Sequence, residues 1–144
     1  MQLAFLFIVV GFGTKAGLAP MHTWLPDAHG EAPSPISAML SGVLLNCAMY
    51  AILRYYALAT PSIGVVYPST LLLAFGLFSL LIATLFVLRQ PDYKRLLAYS
   101  SVEHMGIIAS GIAFGGSLGL YGALLQLLNH AVTKSLMFFA SGHL

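Results

Sequence analysis

From Thr70 to Leu88 the chain carries no ionisable residue. A stretch of that kind is long enough to cross a bilayer core, which takes roughly 20 apolar helical residues for its 30 Å. In lipid every backbone N–H and C=O must be satisfied within the protein, so a lone segment of this length has to be a helix. The remainder fits the same solvent. With 59% hydrophobic and only 7% charged residues, the 144-residue chain cannot cover a soluble globule with charged side chains. The sequence therefore predicts an all-α, polytopic transmembrane helix bundle.

Five apolar segments stand out between places where Pro, Gly and charge collect. The first runs from Leu3 to Leu18, its end loosened by Gly11, Gly13, Gly17 and Pro20, which predicts a broken first helix. Met21 to Ser34 reads as a short interfacial segment interrupted by Pro26 and Pro33, with Trp24 as a headgroup anchor. A second span, Ile36 to Leu58, precedes an uncharged turn over Pro61 to Ser69, and Thr70 to Leu88 is the third. After a basic connection, Arg89 to Arg95, comes a fourth span from Leu96 to Phe114 interrupted by Gly106 and Gly111. Gly115-Gly116-Ser117 then turns the chain into a fifth span, Leu118 to Gly142. Alternation places the Met21 to Ser34 and Arg89 to Arg95 connections on one side, and the positive-inside rule makes that side cytoplasmic. Residues 1–144 read as a single transmembrane domain, a fragment of a longer protein, multi-pass in the cell (inner) membrane.

The charges exclude several functions. Lys15, Arg54, Arg89, Lys94, Arg95 and Lys134 form no basic stripe, so nucleic acid is not an expected partner. Cys47 is the one cysteine, which rules out a disulfide framework or a multi-cysteine cluster built from this chain. His22 and His29 flank Asp27 and Glu31, but they are seven apart with Pro26 between them, the wrong spacing for a helical metal pair. Neither a metal site nor a cofactor is expected in this chain, and phosphate-binding or nucleophile-elbow motifs are absent from the sequence.

Chemistry is expected from the polar residues inside the spans. Lys134 lies well within the fifth, where a lysine costs about 2.5–3.5 kcal/mol on insertion scales and requires polar company or water. Gln126, His130 and Lys134 follow i, i+4, i+8 spacing on one helical face, which Asn129 and Thr133 broaden. Such a stripe suits a proton relay, because imidazoles titrate near neutrality and desolvation brings lysines toward that range. It equally suits hydrogen-bonded gluing of helices. Lys15, at a breakable helix end, reads either as an ion-site residue or as a snorkelling lysine. His22 and His29 either continue a relay to the surface or are ordinary interfacial histidines. Glu103 is the one carboxylate expected within the membrane, to pair with a lysine or carry a proton, unless it sits at the interface near Lys94 and Arg95.

Long motifs add a resemblance. Gly13-Thr14-Lys15, then Pro20 to His29, then Glu31-Ala32-Pro33-Ser34-Pro35, together with Asp92 to Gly106 and Asn129-His130 through Lys134, resemble the antiporter-like proton-translocating subunits of complex I and membrane-bound hydrogenases. Within that family, Leu44-Leu45-Asn46-Cys47-Ala48 and Ser100-Ser101-Val102-Glu103 are most similar to the hydrogenase-4 component F group of formate hydrogenlyase-like complexes. The resemblance implies that Lys15 is the proton-loading lysine of a broken helix, Lys134 the connecting lysine and His130 a bridging group. It also implies other membrane subunits and a peripheral redox arm as partners, with electron-transfer chemistry in those partners. A complex I relative has a lysine in place of Asn46 and a serine in place of Glu103, so the central relay differs here by one ionisable group lost and one gained.

The function so implied is proton translocation in a redox-driven complex, through buried Lys and His side chains and water. A multisubunit sodium/proton antiporter subunit shares these motifs, and a passive membrane anchor for a redox enzyme is a rival of another class. The resemblance predicts that Lys15→Ala lowers pumping in the full-length complex while assembly, followed by native gel, is unchanged; loss of the assembled complex would favour a structural role.

Overall fold

The computed structural model describes residues 1–143, and these form a bundle of helices without strands. Helix α1 spans Gln2–Ala16, α2 Trp24–Glu31 and α3 Ser34–Met39; a π-helical turn, Leu40–Leu44, leads into α4, Leu45–Ile63. Helices α5 (Val66–Val87), α6 (Tyr93–Phe114) and α7 (Gly116–Ala140) follow, and a 3₁₀ turn covers Ser141–His143. Residues Ser34–Ile63 make one continuous 30-residue rod; it and α5 are long and apolar enough to cross a membrane on those grounds alone. Helices α6 and α7, of 22 and 25 residues, have the length too, but polar side chains interrupt their apolar character.

The first helix is broken, as its glycines predict. At 15 residues α1 reaches about 22 Å, short of a full crossing. Gly17 takes the left-handed conformation (φ 76°) that ends it, and its N–H and that of Leu18 return to the Thr14 and Gly13 carbonyls. The freed backbone beyond is satisfied from other elements: Ala19 N donates to Ser79 Oγ of α5 at 2.8 Å, and Trp24 Nε1 donates to the Thr14 carbonyl at 2.8 Å. Trp24 thus closes the end of α1, a task its expected headgroup position did not suggest. Segment Met21 to Ser34 is correspondingly less superficial than an interfacial helix, since Leu25, Pro26 and His29 of α2 are buried.

Several turns are tighter than the sequence suggests. Pro61 lies inside α4, where it has no N–H for the Ala57 carbonyl; Thr60 Oγ1 donates to that carbonyl instead, at 3.3 Å, and the helix continues to Ile63. Gly64 (φ 78°) then reverses the chain, and Pro68 falls in the first turn of α5, where an N–H is not needed. At the start of α6 the Asp92 carboxylate accepts from Lys94 N (2.8 Å) and Arg95 N (3.4 Å), the expected N-cap geometry. Gly115 (φ 66°) alone separates α6 from α7.

Alternation of the spans holds. Arg95 pairs with Asp27 at 3.1 Å and Lys94 Nζ donates to the Ala32 carbonyl at 3.3 Å, so the two charged connections meet on one side. Asp27 is largely exposed and Arg95 partly so, which limits the contribution of the ion pair to under about 1 kcal/mol.

Gly106 and Gly111 do not interrupt α6, contrary to the sequence expectation. They let neighbours approach. A Cβ on Gly106 would lie 2.8 Å from the Gly76 carbonyl oxygen, and one on Gly76 would lie 2.9 Å from that of Gly106. Small residues at a crossing are how helices associate in lipid, where apolar surface alone supplies no drive. Around this crossing and α4 lie Phe5, Val9, Leu45, Met49, Ile52, Leu72, Met105 and Ile108, all buried. Replacing Gly106 by Val is predicted to lower stability by about 1–3 kcal/mol through overpacking, read as reduced thermal stability of the full-length protein in detergent.

Candidate functional site

Helix α7 turns Ala123, His130, Lys134 and Phe138 into the bundle, with Gln126 and Leu127 partly covered between them. The i, i+4, i+8 spacing of Gln126, His130 and Lys134 therefore gives a shared inward face, as expected. Asn129 and Thr133 do not broaden it: both are exposed, because each lies about 100° around the helix from the neighbouring His130 or Lys134.

Lys134 is 2% exposed. Its Nζ donates to the Leu97 carbonyl of α6 at 3.0 Å and to Ser100 Oγ. The Leu97 oxygen also accepts from Ser100 Oγ and Ser101 Oγ, each at 3.0 Å, and Ser101 Oγ lies 2.9 Å from Ser41 Oγ in the π-helical turn. One backbone carbonyl thus joins three elements. Among the described residues Lys134 has no carboxylate within ion-pair distance. Glu103, one helical turn beyond Ser100 on α6, is half-buried with no side-chain hydrogen bond in the described region.

One turn before Lys134, His130 is also 2% exposed. Its Nδ1 lies 3.2 Å from Asn46 Oδ1, and Asn46 Nδ2 donates to the carbonyls of Gly42 and Leu127, both at 3.0 Å. The His130 ring is tilted against that of His104, with centroids 5.7 Å apart, and His104 Nδ1 lies 2.7 Å from Gln126 Nε2. One turn past Lys134, Phe138 stacks on the fully buried ring of His29 at 4.6 Å. His29 Nδ1 and Nε2, and His130 Nε2, have no hydrogen-bond partner among the described groups. His22 is buried beside Tyr99 (6.2 Å), and its Nδ1 likewise has no partner.

The structure so gathers Gln126, His104, His130, Asn46, Lys134, Ser100 and His29 along one seam between α7 and the elements facing it. Glu103 flanks the seam and His22 lies beyond its α2 end. Lys15 is elsewhere: it is exposed in the last turn of α1, among Phe7, Ile8, Gly11 and Phe12, and makes no side-chain hydrogen bond or ion pair with the described residues. Ser100 was not singled out for the site by sequence; His104 entered only as the neighbour of Glu103, and Asn46 only as the position where the resemblance has a lysine, so neither was assigned to the path. A usable signal existed for His104 and Asn46, since each is a strongly polar side chain placed mid-span.

Chemically, the seam offers proton carriers with buried, unpaired nitrogens. Buried polar atoms of this kind are ordinarily satisfied by water. Imidazole, ammonium and hydroxyl groups joined by water are the materials of a proton wire, and no nucleophile–base pair is formed among them.

Comparison with known proteins places the chain in a family. Residues 1–144 match the family described as NADH:quinone oxidoreductase/Mrp antiporter, TM. A hydrogenase-4 component F homolog from Methylacidiphilum infernorum is 50% identical over 143 residues, covering 99% of this chain and 30% of the relative. An NAD(P)H-quinone oxidoreductase chain 4 from Thermosynechococcus vestitus is 40% identical over 140 residues, 97% of this chain and 26% of that protein. Among solved structures, the Mrp complex of a Dietzia species contains a chain that superposes with a TM-score of 0.87 at 28% identity, over 97% of this chain and 26% of its own. The chain spans less than a third of the length of these relatives. It belongs to the NADH:quinone oxidoreductase/Mrp antiporter transmembrane family, as an antiporter-like membrane segment of the kind found in complex I-related and hydrogenase-related proteins.

Proposed function

We propose that this chain is the central part of a proton-translocating subunit, in which protons pass along the α7 seam through His104, His130 and Lys134 with intervening water. The observation that carries the reading is Lys134: a lysine 2% exposed, held by a carbonyl and a hydroxyl rather than by a carboxylate. A lysine serving only as glue is most cheaply kept by a buried counter-ion. One held by neutral acceptors can give up its proton without leaving a buried carboxylate unpaired. The family membership supports the same reading.

Lys15 has a different place in this proposal. Its exposed position on α1 suits a proton-loading group that meets a helix from the remainder of the protein, and it reaches the seam through water rather than by contact. Glu103 supplies negative charge beside Lys134. His22 and His29 lead from the seam toward the side where α2 lies. Redox chemistry, with its cofactors, belongs to partner subunits, and other membrane subunits surround the chain in the cell (inner) membrane. The 50% identity to a hydrogenase-4 component F homolog favours a hydrogen- or formate-linked redox arm over other drivers.

The shape match to the Mrp complex supports a second reading, an antiporter subunit working without a redox arm. Proton uptake per turnover, measured in vesicles containing the full-length complex, tests both. We predict that Lys134→Ala and His130→Phe each lower uptake several-fold in assembled complexes that retain electron transfer. Uptake that instead follows an imposed sodium gradient, with no dependence on electron donor, would favour the antiporter. Unchanged uptake in both variants would make the seam a packing device.

A further inference from the structure

We infer that Asn46 is a positioning residue: it holds His130 as the Nδ1-protonated tautomer and leaves Nε2 as the one ring nitrogen able to accept a proton. The argument starts at the amide. Asn46 Nδ2 lies 3.0 Å from two carbonyl oxygens, those of Gly42 and Leu127. A carbonyl oxygen can only accept, so the amide group facing both must be the NH₂, and its two hydrogens are then fully used. Rotating the amide by half a turn would set its oxygen against two others at the same distance. Its orientation is therefore fixed both from its own helix, through Gly42, and from α7, through Leu127.

With the NH₂ so placed, Asn46 Oδ1 is what His130 Nδ1 meets, at 3.2 Å. An amide oxygen has no hydrogen to give, so the ring nitrogen must donate. In the neutral imidazole the other nitrogen then bears the lone pair, and Nε2 is the buried atom without a partner among the described groups. Gln126 provides the contrast. Its amide touches His104 Nδ1 at 2.7 Å but has no second hydrogen-bond anchor among the described residues, so the tautomer of His104 is not imposed in this way.

The local backbone makes this clamp available. The π-helical turn Leu40–Leu44 precedes Asn46 by two residues, and its Gly42 packs on α7 where a Cβ would sit 3.1 Å from the Ala131 carbonyl. Gly42 thereby lets α4 and α7 approach closely enough for one amide to span both. π-turns within α-helices recur at functional sites, and this one sets an acceptor against a buried ring.

Resting on the proton-path reading above, the clamp restricts how His130 works. A proton reaching Nε2 forms an N–H bond and leaves an imidazolium whose Nδ1–H stays on Asn46. Release from Nε2 restores the same neutral tautomer. Transfer in at one nitrogen and out at the other is closed, because the amide oxygen beyond Nδ1 is not basic enough to take the proton. His130 is a one-sided relay, and any directionality must come from the groups that face Nε2.

Ring-¹⁵N histidine labelling of the intact full-length complex in liposomes tests the assignment, with the His130 signal identified by difference from His130→Gln. The wild type is expected to show the Nδ1–H tautomer. Asn46→Leu, which removes the acceptor, is expected to give a mixture of tautomers and a several-fold loss of proton uptake. An Nε2–H tautomer in the wild type, or an unchanged tautomer in Asn46→Leu, would overturn the inference. The tautomer as expected, with uptake unaffected in Asn46→Leu and in His130→Phe, leaves the clamp standing and removes the proton-path reading instead.

Discussion

The Leu97 carbonyl of α6 accepts from Lys134 Nζ, Ser100 Oγ and Ser101 Oγ, and much of the bundle's polar interior is organised from it. Bringing a lysine to mid-span costs about 2.5–3.5 kcal/mol even before its partners are considered. Here the cost is offset by neutral acceptors on the facing helix, the Leu97 carbonyl and the Ser100 hydroxyl one turn apart. Ser101 passes the linkage to Ser41 at the π-helical turn. The register of α7 against α6 and against the second span is thus fixed by hydrogen bonds in a place where apolar packing alone is indifferent to register.

That registration has a consequence for the neighbouring turns. With Lys134 set, His130 one turn earlier meets Asn46 and His104, and Phe138 one turn later covers His29. The close crossings at Gly42 and at the Gly76–Gly106 pair remove the bulk that would hold these groups apart. Polar spacing along α7 and the absence of side chains opposite it are two halves of one arrangement, and the nitrogens of His29 and His130 without a partner among the described groups lie along it.

Much of this was legible in the sequence, for identifiable reasons. The apolar lengths revealed the spans, Gly17 and Pro20 the break after α1, and the four-residue spacing the inward face of α7. Where expectation and structure differ, a local interaction explains it. Thr60 repairs the hydrogen bond lost at Pro61, so the helix outlasts its proline. Gly106 serves a helix crossing rather than an interruption, a role visible only once Gly76 is known to face it. Asn129 and Thr133 share α7 with the seam but not its side. His104 and Asn46 enter the site through partners 22 and 84 residues away in sequence, a separation at which periodicity carries no information. Lys15, which the motif joins to Lys134, is kept apart from it here by the fold of α1.

The central claim is that the seam from His104 to His29 is a hydrated path and not a dry polar seal. A map of the intact complex at a resolution that shows ordered water tests it most directly. The account predicts waters within hydrogen-bond distance of His130 Nε2 and of the His29 ring nitrogens, linked onward to Lys134. Those nitrogens packed against carbon, with no water between His130 and Lys134, would contradict it.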